Sequence, residues 1–103
     1  MIVEYIRYII APDKTEAFEQ SYRVAQESLR ESKHCLGWEL SRCAEDGGAY
    51  TLRIEWDSAE GHLQGFRKSP EFGPFFAAVQ PFLGEIQEMR HYNITDVVGS
   101  KSG

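Results

Sequence analysis

The sequence predicts an α+β domain in which four strands form one antiparallel sheet and two helical segments pack on one of its faces. Three observations predict it: a β-branched and aromatic run opens the chain, an amphipathic helix pattern follows it, and an Asp-Gly-Gly turn joins two alternating segments.

Taken in order, Ile2 to Ala11 is almost continuously apolar, as a strand is when both of its faces are covered, and Pro12 stops it. Asp13 stands three residues before Glu16 at the spacing of a capping box, and Phe18, Tyr22, Ala25 and Leu29 then recur at helical intervals, so a helix is expected over about 14–32. A connector through Ser32-Lys33-His34 ends at Gly37. The run W-E-L-S-R-C-A alternates until Glu45-Asp46-Gly47-Gly48, a hairpin signal that relies on glycine at positive φ. The return strand is Ala49 to Trp56, with Tyr50, Leu52, Ile54 and Trp56 on one face and Thr51, Arg53 and Glu55 on the other.

Asp57-Ser58 can cap a second helix through about Arg67. Ser69-Pro70-Glu71 restarts helix with proline at the first helical position, carrying Phe72, Phe75, Phe76 and Val79 until Pro81. Leu83 to about Val98 reads as a long last strand whose far end is expected to leave its own sheet and reach a partner. Residues 98–103 are polar enough to predict a disordered tail, which leaves 1–97 as the domain. The order strand, helix, strand, strand, helix, strand is the ferredoxin-like split βαβ arrangement, βαββαβ. Its bare sheet face, expected to be rich in Ile, Tyr, Trp and Leu, would then close against a second copy of the chain.

Length and composition narrow the partners. With 103 residues the chain supports one core, and 42% hydrophobic residues exclude disorder for the bulk of it. A formal charge of −5, with no basic run longer than Arg67-Lys68, argues against nucleic acid and anionic membrane. No apolar run approaches the ~20 residues of a membrane span. Cys35 and Cys43 lack CxxC spacing, and Met1 leads straight into Ile2-Val3, so a cytoplasmic protein with two free thiols is expected. H-E-x-x-H, paired CxxC, EF-hand, P-loop and dinucleotide motifs are absent, and three histidines scattered along the chain do not define a metal site. No metal or other cofactor is therefore expected.

The segment W-D-S-A-E-G-H-L-Q-G-F-R-K-S-P-E-F at 56–72 carries a family likeness. Glu55-Trp56 ends the third strand, Asp-Ser starts the helix, and Ser69 to Phe72 is followed by Phe75-Phe76. With the strand-helix opening, the chain resembles the antibiotic biosynthesis monooxygenase family of dimeric α+β barrels over residues 2 to about 95. The resemblance implies a homodimer with a pocket in each subunit between helices and sheet. Its members include oxygenases of polyketide phenols or quinols that need neither metal nor flavin, and haem-degrading enzymes. This chain departs from the haem-degrading pattern, with Arg7 where that branch has asparagine, Phe66 where it has tryptophan, and no histidine near Pro74 or Phe75. It also lacks the histidine that many quinol-oxidising relatives carry just before S-P-x-F, with His62 one turn earlier.

Oxygenation without a cofactor needs an apolar pocket for an electron-rich ring and a base or hydrogen bond that favours its anion. His62 and His91 are the candidate bases, each weighed against a merely hydrogen-bonded histidine; His34, in a connector, is expected in solvent. Arg7, a charge inside Y-I-R-Y-I-I, is expected to line the pocket and steady the anion, to pair with Glu4 or Glu88, or to lie at an exposed edge. Tyr22, Phe66, Phe72, Phe76 and Trp56 are the candidate substrate wall, each of which could equally be core; Trp38 fits barrel packing or stacking. The function expected is a cofactor-independent monooxygenase of a small phenol or quinol, with molecular oxygen as co-substrate. The alternative is a non-catalytic or regulatory small-ligand-binding module of the same fold.

Overall fold

A computed structural model describes residues 1–101. Strand β1 is Ile2–Ile9, helix α1 Thr15–Glu31, β2 Cys35–Arg42, β3 Ala49–Trp56, α2 Phe72–Val79 and β4 Ile86–Asn93, with a π-helical segment at Gly61–Phe66 and short 3-10 turns at Pro12–Lys14 and Gln80–Glu85. The sheet order is β2-β3-β1-β4, with every neighbouring pair antiparallel. This is the ferredoxin-like arrangement expected.

Side-chain parity decides which face of the sheet is covered. Residues opposite one another across antiparallel strands share a face, so Glu4, Ile54 and His91 stand together, as do Ile6, Leu52 and Met89. On this side Tyr50, Leu52, Ile54 and Trp56 are all buried, against Phe18, Tyr22, Ala25 and Leu29 of α1 and Phe75 and Val79 of α2. The aromatic stripe of β3 is thus the helix-covered face.

The open face is less greasy than expected: Val3, Tyr5, Ile9 and Tyr92 lie on it, but it carries no tryptophan and many charges. Arg7, Thr51 and Glu88 share it with Tyr5, Arg53 and Arg90. Its charges neutralise one another: Arg53 donates to Glu55 at 2.6 Å and to the Tyr5 hydroxyl at 3.3 Å, and Arg7 lies 3.9 Å from Glu88. The alternating pattern of β3 marked both faces, but the apolar one went to the helices.

Four local expectations also change. Asp13 makes no cap; the chain enters α1 through the 3-10 turn, with the Thr15 hydroxyl donating to the Pro12 carbonyl at 3.4 Å. Among the described residues no glycine has positive φ, because the hairpin spans the six residues 43–48 rather than a tight two-residue turn. Gly48 is required there by close approach instead: a Cβ would sit 2.7 Å from the Ile10 carbonyl oxygen, whose own N–H donates to Gly48. Pro70 precedes α2 rather than opening it. Finally β4 starts at Ile86, after the 3-10 turn that Pro81 initiates, and ends at Asn93, so 94–101 run on without strand pairing.

Residues 98–101 are exposed and carry neither helix nor strand, while 102–103 of the expected tail lie outside the described residues. Cys35 and Cys43 are both free thiols. Among the described residues no helix is long and apolar enough to cross a membrane.

Candidate active site

A cavity of about 200 Å³ lies between the covered face of the sheet and the segment from the π-helix to α2. An apolar cavity of ~150 Å³ already accepts one benzene ring. Its walls are largely aromatic: Tyr8, Tyr22, Trp56, Phe66, Phe72 and Phe76 among them, with Ile6, Ile54 and Val79 behind. Phe76 and Met89, both about two-fifths exposed, mark its mouth.

The two tyrosines come from facing elements, β1 and α1, and their hydroxyls hydrogen-bond one another. Burial raises both phenols above the ordinary tyrosine range, so each stays protonated and serves as a hydrogen-bond group, not a base.

At the opposite end from the tyrosines stands a polar cluster. Glu4 is 2% exposed, and Trp56 Nε1–H donates to its Oε1 at 3.1 Å. His62 Nδ1 and His91 Nε2 lie 2.8 Å apart, close enough to share one N–H. His62 Nε2 is 3.6 Å from Glu4 Oε1, and His91 Nε2 is 3.7 Å from Glu4 Oε2. Burial raises the Glu4 carboxyl above the usual carboxylate range, opposed by the Trp56 hydrogen bond, His91 and Arg67. Burial also pulls His62 down to about 4, with Arg67 and His91 pushing the same way, so its ring is neutral at neutral pH.

Local structure aims these groups. His62 stands in the π-helical segment, whose wide turn is closed by the Arg67 N–H donating to the His62 carbonyl at 3.1 Å. Ser58 caps its start by accepting the Gly61 N–H at 2.8 Å. The segment lies tight against the His34 ring, which Asp57 holds at 3.0 Å; a Cβ on Gly65 would run into that ring. Trp56 then stacks on the His62 imidazole at 4.5 Å and 15°, which fixes the ring plane.

Of the residues singled out from sequence, His62, Tyr22, Phe66, Phe72, Phe76 and Trp56 all line the cavity. His91 joins them by touching His62 from β4. Arg7 does not: it lies on the open face, paired with Glu88, one of the partners considered for it. His34 is part-buried and bound to Asp57 rather than free in solvent. Trp38 packs on α1, its indole N–H donating to Gln26 at 3.1 Å and Arg30 lying over its ring. Glu4 and Tyr8 are the site residues that sequence reasoning passed over. Strand parity puts Glu4 with Ile2, Ile6 and Tyr8 and Arg7 on the opposite face with Val3, Tyr5 and Ile9, but both faces are apolar, so parity alone does not say which is covered.

Comparison with known proteins agrees with this architecture. The family model described as antibiotic biosynthesis monooxygenase matches residues 1–78. The uncharacterised protein YczJ of Bacillus subtilis is 30% identical over 77 residues, covering 75% of this chain and 81% of its own. The fold superposes with a TM-score of 0.79 on a candidate antibiotic biosynthesis monooxygenase of Bordetella bronchiseptica, at 24% identity over 91% of this chain and 96% of that one. A conserved protein of Methanosarcina mazei superposes with a TM-score of 0.75, at 20% identity over 91% and 92% of the two chains. With the family model covering three-quarters of its length, the chain belongs to the antibiotic biosynthesis monooxygenase family.

Proposed function

We propose that this chain is a monooxygenase of a small phenol- or quinol-like aromatic, which it oxidises with molecular oxygen and without an organic cofactor. The observation that carries this reading is the meeting of an aromatic-walled cavity of about 200 Å³ with one buried carboxylate, Glu4. A flat ring suits a cavity walled by Trp56, Phe66 and Phe72, with its hydroxyl turned to the polar end. Burial makes Glu4 a stronger proton acceptor than an ordinary carboxylate. The His62 and His91 rings form the hydrogen-bonded path beside it, along which the proton passes outward to the partly exposed His91.

The chemistry then balances without an external reductant. Glu4 takes the phenolic proton, the phenolate gives one electron to oxygen, and the radical pair joins to form a carbon–oxygen bond. Loss of water from the resulting hydroperoxide leaves a carbonyl, so one oxygen atom enters the product and the other leaves as water. The ring supplies all four electrons. Names of related proteins that mention antibiotic biosynthesis monooxygenases support the reaction class.

The test is oxygen uptake by the metal-stripped protein across a panel of simple phenols, hydroquinones and anthrone-type substrates. Uptake above the buffer rate, with quinone formed in equal amount, is the expected result. A compound that raises the melting temperature yet yields no product, throughout the panel, would favour a ligand-binding module instead.

The chain is also proposed to act as a homodimer. The tail after β4 exposes Ile94, Val97 and Val98, and the open sheet face carries Arg7, Arg53 and Arg90 beside Glu39, Glu55 and Glu88, a charge set that a two-fold copy can complement. Sedimentation should give twice the 11.8 kDa of one chain at micromolar concentration. A stable 11.8 kDa species there would refute the dimer.

A further inference from the structure

We propose that Glu4, His62 and His91 form a binding site for one borderline divalent transition-metal ion, of the Zn²⁺, Co²⁺ and Fe²⁺ class. A carboxylate and two histidines that are far apart in sequence come together here from three elements: Glu4 on β1, His62 on the π-helical segment and His91 on β4. One ligand atom from each lies within 4.8 Å of the others. Two imidazoles and a carboxylate are the donor set that suits such ions and not Mg²⁺ or Ca²⁺, which select oxygen.

The spacing is close to what an ion requires. Ligand atoms at about 2.0–2.2 Å from one ion stand roughly 3.0–3.5 Å from each other. Two of the three edges, 2.8 Å from His62 Nδ1 to His91 Nε2 and 3.7 Å from His91 Nε2 to Glu4 Oε2, bracket that range, and the third, from His62 to Glu4, is longer but within 4.8 Å. An ion takes the place of a proton between the two rings, and on binding it draws the Glu4 and His62 ligand atoms together by about an ångström. His91, on the last strand and partly exposed, is free to follow.

The surroundings already orient the ligands. Trp56 Nε1–H holds Glu4 Oε1 and leaves Oε2 directed at His91, and the indole face fixes the His62 ring. Outer partners of this kind commonly set metal affinity by 10- to 100-fold. The Arg67 guanidinium on the cavity wall is the one nearby like charge and opposes the ion. Three protein ligands leave coordination positions open, and Glu4 and His62 both border the cavity.

The inference is independent of the oxygenase reading. An ion seated on these lone pairs occupies the atoms that would accept a substrate proton, so the metal-loaded and the proton-accepting states exclude one another.

The chelator-treated full chain is titrated with Co²⁺ followed by its visible ligand-field absorption, and with Zn²⁺ by calorimetry. One ion per chain is expected, with an intense ligand-field band from a low-symmetry site and a melting temperature that rises with free Zn²⁺. His91→Ala and His62→Gln should each weaken binding at least tenfold, whereas Glu16→Ala, exposed in the first turn of α1, should not change it. His91→Ala is the decisive variant, because its melting temperature in chelator should match the parent and so separate lost ligation from lost folding. Absence of binding, or binding that survives both the His91 and the His62 substitutions, overturns the site. Oxygen uptake by the chelated protein reports on the other reading alone.

Discussion

Glu4→Gln is expected to lower turnover of a phenolic substrate by about 10²–10⁴-fold, the range that a positioned proton acceptor contributes. Glutamine keeps the shape of the side chain and an acceptor oxygen for the Trp56 N–H, so the cavity and its substrate wall persist. What disappears is the carboxylate, the atom set that receives the proton. KM should therefore stay within a few-fold while kcat falls, the signature of an interaction made in the transition state. Neutralising a buried charge removes a desolvation cost, so folding stability should hold or rise slightly. Glu4→Asp retracts the carboxyl by one methylene and should recover part of the lost rate. Measured in chelator, with steady-state oxygen uptake as the readout, retention of kcat within threefold by the glutamine variant would remove Glu4 from the mechanism.

Why Glu4 rather than Arg7 occupies the site bears on what a sequence can disclose. The alternating β3 segment states plainly that Tyr50, Leu52, Ile54 and Trp56 share a face, and the stripe Phe18, Tyr22, Ala25, Leu29 identifies the helix that covers one. β1 is apolar on both sides, so its two charges, Glu4 and Arg7, stand out on opposite faces without revealing which face is covered. Only the register resolves it: Glu4 lies opposite Ile54 and so inherits the covered side, and Arg7 lies opposite Thr51 on the open one. The same register shows that the greasy stripe was already spent on the helices, which local alternation could not say. Convergence of His62 with His91 is likewise a tertiary fact, since 29 residues separate them. The cavity wall was legible for another reason. Phe72 and Phe76 stand four residues apart, which puts them on one side of a helix, and Phe66 lies close before them on the same stretch of chain. The π-helical segment 61–66 packs against His34, a residue far upstream, so closely that Gly65 has no room for a side chain, a contact that local sequence does not disclose.

Phe18→Ala is expected to cost about 3–5 kcal/mol of folding stability, the upper range for deleting a fully buried aromatic. Phe18 is 0% exposed and is the point where the aromatic core converges. Its ring meets Tyr8 at 4.7 Å, Tyr50 at 4.8 Å, Phe82 at 5.2 Å and Tyr22 at 5.3 Å, three of them edge-on. Each such pair adds roughly 0.5–1.5 kcal/mol beyond its buried area, and none of the four partners can fill the void without leaving its own contacts. Tyr8 and Tyr22 are hydrogen-bonded to one another and Tyr50 to Glu19, so collapse into the gap would strand a buried hydroxyl. Against a total of about 5–15 kcal/mol for a domain of this size, the variant should melt on the order of 15–30 °C below the parent. Phe76→Ala makes the contrast: that ring is 43% exposed at the cavity mouth, so its loss should cost only about 1 kcal/mol. Urea unfolding of the two variants measures the difference directly. A Phe18→Ala cost as small as that of Phe76→Ala would mean that the helix-to-sheet core is not packed around Phe18, and that the tyrosine pair at the inner end of the cavity has some other support.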